Sequence, residues 1–341
     1  MICVIDRKGT TIEYRAGCIY IKQGRTKRRP LPINQLEQVI VYGNPLVETS
    51  VWRNLAEASV PVIMLSSRGK PQTALLGSSL AVRLPLRRMQ HRLANIPEAA
   101  TSMARWFIRR KFKSYSLALA TLSDRFSIDI EALESFSRNR VQAENQLDYA
   151  ENVAEVMGIE GRLAHVWFNL LTQTLPVKYN FTGRNRRPPR DPVNSLLSLG
   201  YTMLVSEVRQ AILIEGFDPS LGFLHQDYPG REALALDFME ILRTGVDDFV
   251  FRWLDETDLN PSSFFYRKKD GCRLSKGTRP LFFQAWAQHR ENWPRFDSLG
   301  ETGQKAPIRE LLLGQTAKTR QYMIGLEDKY VFGKNSIQDE I

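Results

Sequence analysis

Three short motifs carry the candidate chemistry of this chain: Gly158-Ile159-Glu160-Gly161-Arg162, Gly222-Phe223-Leu224-His225, and Leu234-Ala235-Leu236-Asp237-Phe238-Met239-Glu240. Each sets a hard or borderline metal ligand among apolar residues that should bury themselves, a pattern that suggests a divalent-metal site. Asp237 and Glu240 are three apart on a predicted helix, so their side chains are neighbours on one face. Two close carboxylates repel unless a cation or a shared proton relieves them. A bound metal is one source of relief; a surface acid pair answering Arg231 or Arg243 is the plainer alternative. Glu160 aligns at helical spacing with Ala164, Trp167 and Leu171, where a carboxylate is costly unless paired or metal-bound. Its alternative is a first-turn position, paired with Arg162 and favoured by the helix N-terminus. His225 ends an apolar loop, and a neutral imidazole is a common transition-metal ligand. A lone histidine is also commonly a packing residue, and that reading is taken for His91, His165 and His289.

The elements around these motifs change period along the chain. Residues 1 to about 80 alternate short apolar runs with turn chemistry, as in Ile2-Cys3-Val4-Ile5 and Val39-Ile40-Val41-Tyr42-Gly43, and read as strands. Within them Glu48 to Ala58 reads as one short helix, and Ser67-Arg68-Gly69-Lys70 as a turn. From about residue 83 the spacing is helical, with Met103, Trp106, Phe107, Phe112 and Leu117 as the buried stripe of a long helix. Residues 129 to 157 and Glu160 to Leu171 continue that pattern. Asp191-Pro192 is a start signal, with the acid as N-cap and proline at the first helical position, for a helix that Gly216 ends. A further helix is expected from Arg231 to about Trp253, then a charged hairpin turning at Asp270-Gly271, then helices over about 280–290 and 307–327. The fold expected is α+β: a small N-terminal β-sandwich-like domain (1–80), a linker and start of the helical region (81–95), a larger all-α catalytic domain (96–330) and a tail (331–341).

The chain has 341 residues, 43% hydrophobic and 25% charged, with a formal net charge of +10. That balance favours a polyanion such as nucleic acid as partner. Cys3, Cys18 and Cys272 stand in no metal-ligand spacing, which points away from a zinc site or a disulfide framework and towards a reducing, cytoplasmic setting. No uninterrupted apolar run approaches the roughly 20 residues that span a bilayer. Two basic segments could hold phosphates: Lys178, Arg184, Arg186, Arg187 and Arg190 on a loop before Asp191, and Arg267-Lys268-Lys269 with Arg273 and Lys276 across the hairpin. Either could also be a solvated surface.

Taken together and in order, these motifs resemble the CRISPR adaptation integrase family, CRISPR-associated protein one. Val39 to Asn44 through Val60 to Ser66 resembles its β-domain, Asp191-Pro192-Val193-Asn194-Ser195-Leu196-Leu197-Ser198-Leu199-Gly200-Tyr201 its central helix signature, and Gly222 to His225 and Leu236 to Glu240 its later signatures. The resemblance implies a site of Glu160, His225 and Glu240 as catalytic metal ligands, with Asp237 as a close carboxylate, and leaves open which of Asp237 and Glu240 touches the ion. It implies Mg²⁺ or Mn²⁺ and transesterification, in which a DNA 3′-hydroxyl attacks a phosphodiester of the CRISPR repeat. It also implies double-stranded DNA (pre-spacer and repeat) as substrate, a homodimer through the β-domains, and CRISPR-associated protein two as partner. Ile241 and Thr244 depart from the family's commoner glutamate and proline. A stand-alone structure-selective DNase and a non-catalytic DNA-binding scaffold are the competing readings.

Overall fold

Aliphatic and β-branched runs near the N-terminus pair into two small sheets. The structure, a computed structural model, describes the chain apart from residues 7–8, 24–25, 28–29, 37, 59, 61, 66–70, 75–83, 187, 258, 296–304 and 334–341. The turn expected at Ser67 to Lys70 and the candidate Arg187 therefore lie outside the described residues. The first elements are β1 (Ile2–Ile5), β2 (Thr10–Arg15), β3 (Cys18–Gln23), β4 (Thr26–Lys27), β5 (Leu31–Pro32), β6 (Gln38–Tyr42), β7 (Leu46–Val47), α1 (Thr49–Glu57), β8 (Val62–Leu65) and β9 (Pro71–Ala74). One sheet runs β1-β6-β8-β9, parallel through β8 and antiparallel at β9. The other runs β4-β3-β2-β7, with β5 also on β3. Ile5, Ile12, Ile19, Val39, Val41, Val62 and, from α1, Val51 and Leu55 close one core between them.

The helical part follows as α2 (Leu84–Ala94), α3 (Pro97–Ser123), α4 (Ile130–Tyr149), α5 (Val153–Leu171), α6 (Pro192–Glu215) and α7 (Ala233–Thr257). A hairpin of β10 (Phe264–Arg267) and β11 (Gly271–Leu274), then α8 (Arg279–Glu291), β12 (Trp293–Pro294), β13 (Lys305–Ala306) and α9 (Ile308–Tyr330), complete the described chain. The α+β class, a small strand region before a larger helical domain, is the one expected. By packing, Met1–Val82 with Arg279–Ala287 form one compact unit, and Arg83–Thr278 with Gln288–Ile341 the other.

Local chemistry decides where the functional helices begin. The helix expected over 129–157 breaks at Ala150 to Asn152. There Asn152 accepts the Glu155 N–H at 3.0 Å and Glu155 reaches back to the Glu151 N–H at 2.8 Å, a reciprocal cap that starts α5 at Val153. Glu160 thus sits mid-helix, which removes the first-turn alternative. Asp191 caps α6 by accepting the Asn194 N–H at 2.8 Å, with Pro192 at the first position and Gly216 in the left-handed conformation at the other end. Through the segment that departs from the family pattern, α7 continues without a break: Ile241 is buried and Thr244 donates to Ser114 of α3 at 3.0 Å.

Candidate metal centre

Helix α3 supplies the reason two distant glutamates meet. Phe107 and Tyr115 lie four residues either side of Lys111, so the three share one face. Phe107 packs edge-on against Phe238 of α7 at 5.2 Å, and Tyr115 packs on Trp167 of α5 at 4.9 Å. Lys111 between them is 1% exposed, and its ammonium donates to Glu160 of α5 and to Glu240 of α7 together. Arg243 takes the other Glu240 oxygen at 2.6 Å. Burial on its own would raise the Glu240 carboxyl; Arg243 and Lys111 reverse this and hold it well below the carboxylate range. Burial likewise would lower Lys111, and Glu160 and Glu240 turn the shift upward. Lys111 and Glu240 are therefore both held in their charged forms at neutral pH.

Asp237 has a different task. It is fully buried one turn before Glu240 and does not share a cation with it. Its Oδ2 accepts the Phe223 and Leu224 N–H groups at 2.7 and 3.1 Å, and its Oδ1 accepts the His225 N–H at 2.9 Å. The His225 ring nitrogen Nδ1 lies 2.8 Å from the same Oδ1. A carboxylate that accepts three backbone N–H groups also accepts from the ring, so Nδ1 carries a hydrogen, and in the neutral tautomer Nε2 is the nitrogen with the free lone pair. The loop bearing His225 is pinned elsewhere by Gln90 of α2, which bonds Asp218 in both directions at 2.9 Å and donates to the Leu221 carbonyl at 2.7 Å. Gly222 lets the loop lie against the start of α7: a Cβ there would come within 2.7 Å of the Ala233 Cβ and 2.9 Å of its backbone.

The four sequence-predicted residues thus fall into two pairs of partners. Glu160 and Glu240 meet on one ammonium; His225 and Asp237 meet on each other. Among the described residues no three His, Cys, Asp or Glu side chains are clustered as metal ligands. Sequence reasoning missed Lys111, although its place on the stripe of Phe107, Phe112 and Tyr115 was a readable signal. It also missed Asp247. That buried acid accepts from Trp167 Nε1 at 2.9 Å and from the Tyr201 hydroxyl, while Arg243 lies 4.6 Å over the Tyr201 ring. Arg243 is thereby held between Glu240 and an aromatic face.

The basic segments are brought against each other. The Cys272 N–H of β11 donates to the Pro189 carbonyl at 2.7 Å, and Gly271, at φ +69°, leaves no room there for a Cβ. Lys178, Arg186 and Arg190 on the loop and Lys276 beyond the hairpin are exposed, as are Arg267, Lys268 and Lys269. Arg184 instead turns inward, donating to Asn194 Oδ1 at 2.7 Å and Ser198 at 3.2 Å, and burial draws its guanidinium down to about 10. Asn194, fully buried, spends its amide on Gly183, Asn185, Arg184 and Asp191, so it fastens the loop. His289 is partly buried against Phe249 and Trp293 at 4.9 and 4.7 Å, and His91 and His165 are surface residues.

Known proteins place this chain in a family. The chain is 29% identical to the CRISPR-associated endonuclease Cas1 3 of Thermus thermophilus, covering 91% of this chain and 89% of that one. In fold it is similar to a casposase bound to integration product, with a TM-score of 0.81, 21% identity and coverage of 100% and 95%. It is also similar in fold to a chain of a Cas6-RT-Cas1–Cas2 complex, with a TM-score of 0.76, 21% identity and coverage of 96% of this chain and 35% of that one. The sequence model of the family described as CRISPR associated protein Cas1 matches residues 3–288, from the first strand to α8, and the chain belongs to that family.

Proposed function

We propose that this chain is a divalent-metal-dependent DNA integrase and endonuclease of CRISPR spacer acquisition, joining DNA 3′-hydroxyl ends to repeat phosphodiesters. The observation that carries the reading is the convergence of Glu160 and Glu240, from two helices, on a single cation. The Lys111 ammonium is a stand-in that reports a cation-seeking pocket. Two carboxylates and one imidazole form a donor set that suits Mn²⁺ or Mg²⁺. Glu160, Glu240 and Nε2 of His225 would hold the ion, while Asp237, whose oxygens are taken by backbone amides and Nδ1, orients the ring. When bound, such an ion supplies Lewis-acid stabilisation of the scissile phosphate.

The chain's own residues do the rest. Arg243, fixed by Tyr201 and Asp247, keeps Glu240 ionised and aimed. The exposed cations of the 178–190 loop and of the hairpin offer sequence-independent phosphate contacts. No nucleophilic side chain is needed, because the DNA brings its own hydroxyl; water in its place gives cleavage. Double-stranded pre-spacer and repeat DNA, a second copy of the chain and CRISPR-associated protein two are the partners of this reading. The name of the Thermus relative as an endonuclease, and the presence of integration product and of Cas2 in complexes of similar fold, support it. Among the described residues no helix is long and apolar enough to cross a membrane.

The test is a joining assay with Mn²⁺, a pre-spacer bearing free 3′-hydroxyls and a repeat-bearing plasmid. Glu160→Gln and His225→Ala are expected to lower joining by a factor of at least about 10², while DNA binding survives. Undiminished joining by both variants would defeat the site. Fragments without joined product from the unaltered chain would favour the stand-alone nuclease.

A further inference from the structure

The oxygens best placed to receive a metal are already engaged by a cation of the chain itself. Lys111 is 1% exposed, enclosed between α5 and α7, and bonds one oxygen of Glu160 and one of Glu240. The second Glu240 oxygen belongs to Arg243 at 2.6 Å. A divalent ion and an ammonium cannot both sit between the same two carboxylates, since like charges a few ångströms apart in a buried site repel strongly. Without Lys111, Glu160 and Glu240 would face one another with Arg243 as the only cation among the described residues bonded to either.

We propose that Lys111 is a resident counter-cation that a divalent metal must displace, so that competition with its ammonium sets the metal affinity of the centre. The inference rests on the metal reading above and deepens it. Lys111 holds the two carboxylates in register while metal is absent, preventing their mutual repulsion from splaying α5 from α7. Displacement is open to it because the charge ends a flexible four-carbon stem with three rotatable donors. The cost of breaking one buried and one part-buried ion pair is then subtracted from the metal's intrinsic affinity.

The experiment is a calorimetric Mn²⁺ titration of the full chain, unaltered and as Lys111→Met and Lys111→Gln, with thermal unfolding followed in parallel with and without Mn²⁺. Both variants should bind Mn²⁺ about tenfold or more tightly than the unaltered chain, and should gain more thermal stability from it. Where a variant does not fold alone, recovery of the folded state on Mn²⁺ titration is the expected reading. Affinity equal to or weaker than that of the unaltered chain in both variants, or failure of both to fold at saturating Mn²⁺, overturns the proposal. Absence of Mn²⁺ binding by the unaltered chain and both variants overturns the metal centre, and the role of Lys111 with it.

Discussion

Asp237 shows how much one buried carboxylate can organise. Its two oxygens gather three consecutive backbone N–H groups and the imidazole of His225, so loop shape and ring orientation share one origin. Asp237→Asn keeps the volume but replaces one of the two acceptor oxygens with an NH₂ group facing donors. We expect it to slow joining at saturating Mn²⁺ by roughly 10- to 100-fold, the usual effect of losing an orienting carboxylate, and to cost about 1–3 kcal/mol of stability in urea unfolding. An unchanged single-turnover rate would mean His225 needs no such partner. The candidate acids and the histidine were legible from residue type and spacing, but the division of labour between Asp237 and Glu240 was not. Both sit on one face of a helix, and only the path of the loop, which sequence spacing does not specify, decides which acid meets backbone amides. Lys111 was legible in principle: a lysine four residues from both Phe107 and Tyr115 on a buried stripe demands an anion.

At the scale of elements, helix starts and stops carried chemistry that periodicity missed. The continuous helical composition over 129–157 concealed the Asn152–Glu155 cap, and with it the mid-helix position of Glu160. Asp191-Pro192 and Gly216, whose signals are local, bound α6 where the sequence placed them. The close seating of α7 on β12 depends on Gly245, where a Cβ would meet the Trp293 ring at 2.5 Å. Beside it His289 stacks on Phe249 and packs at a tilt on Trp293, and burial pushes its imidazole from 6.5 down to about 3. A depressed value means the folded state refuses a proton that the unfolded chain accepts. Its contribution to stability is therefore present above pH 6.5 and is lost as pH falls through that window towards 3. His289→Gln should flatten the fall in unfolding free energy between pH 6.5 and 5 by up to about 1.4 kcal/mol per pH unit. Equal slopes for the two chains in urea unfolding would show that His289 does not titrate differently on folding.

For the whole molecule, the class and the order of strand region and helical region followed from the change of hydrophobic period near residue 83. What did not follow was that Arg279–Ala287, far along the chain, packs with the N-terminal unit, because long-range grouping leaves no local signature. The net charge of +10 predicted a polyanionic partner but not where it docks. The fold ties the hairpin to the 178–190 loop through Cys272 and Pro189, and the two basic runs so joined are the ones proposed to contact DNA phosphates. Its deeper consequence is that α3, α5, α7 and one loop must pack together before any centre exists. The most direct measurement of that claim is anomalous diffraction at the manganese edge from crystals of the full chain grown with Mn²⁺. The account predicts one ion bound by Glu160, Glu240 and Nε2 of His225, with the Lys111 ammonium moved off both carboxylates. An ion held elsewhere, or Lys111 still bridging Glu160 and Glu240 at saturating Mn²⁺, would contradict it.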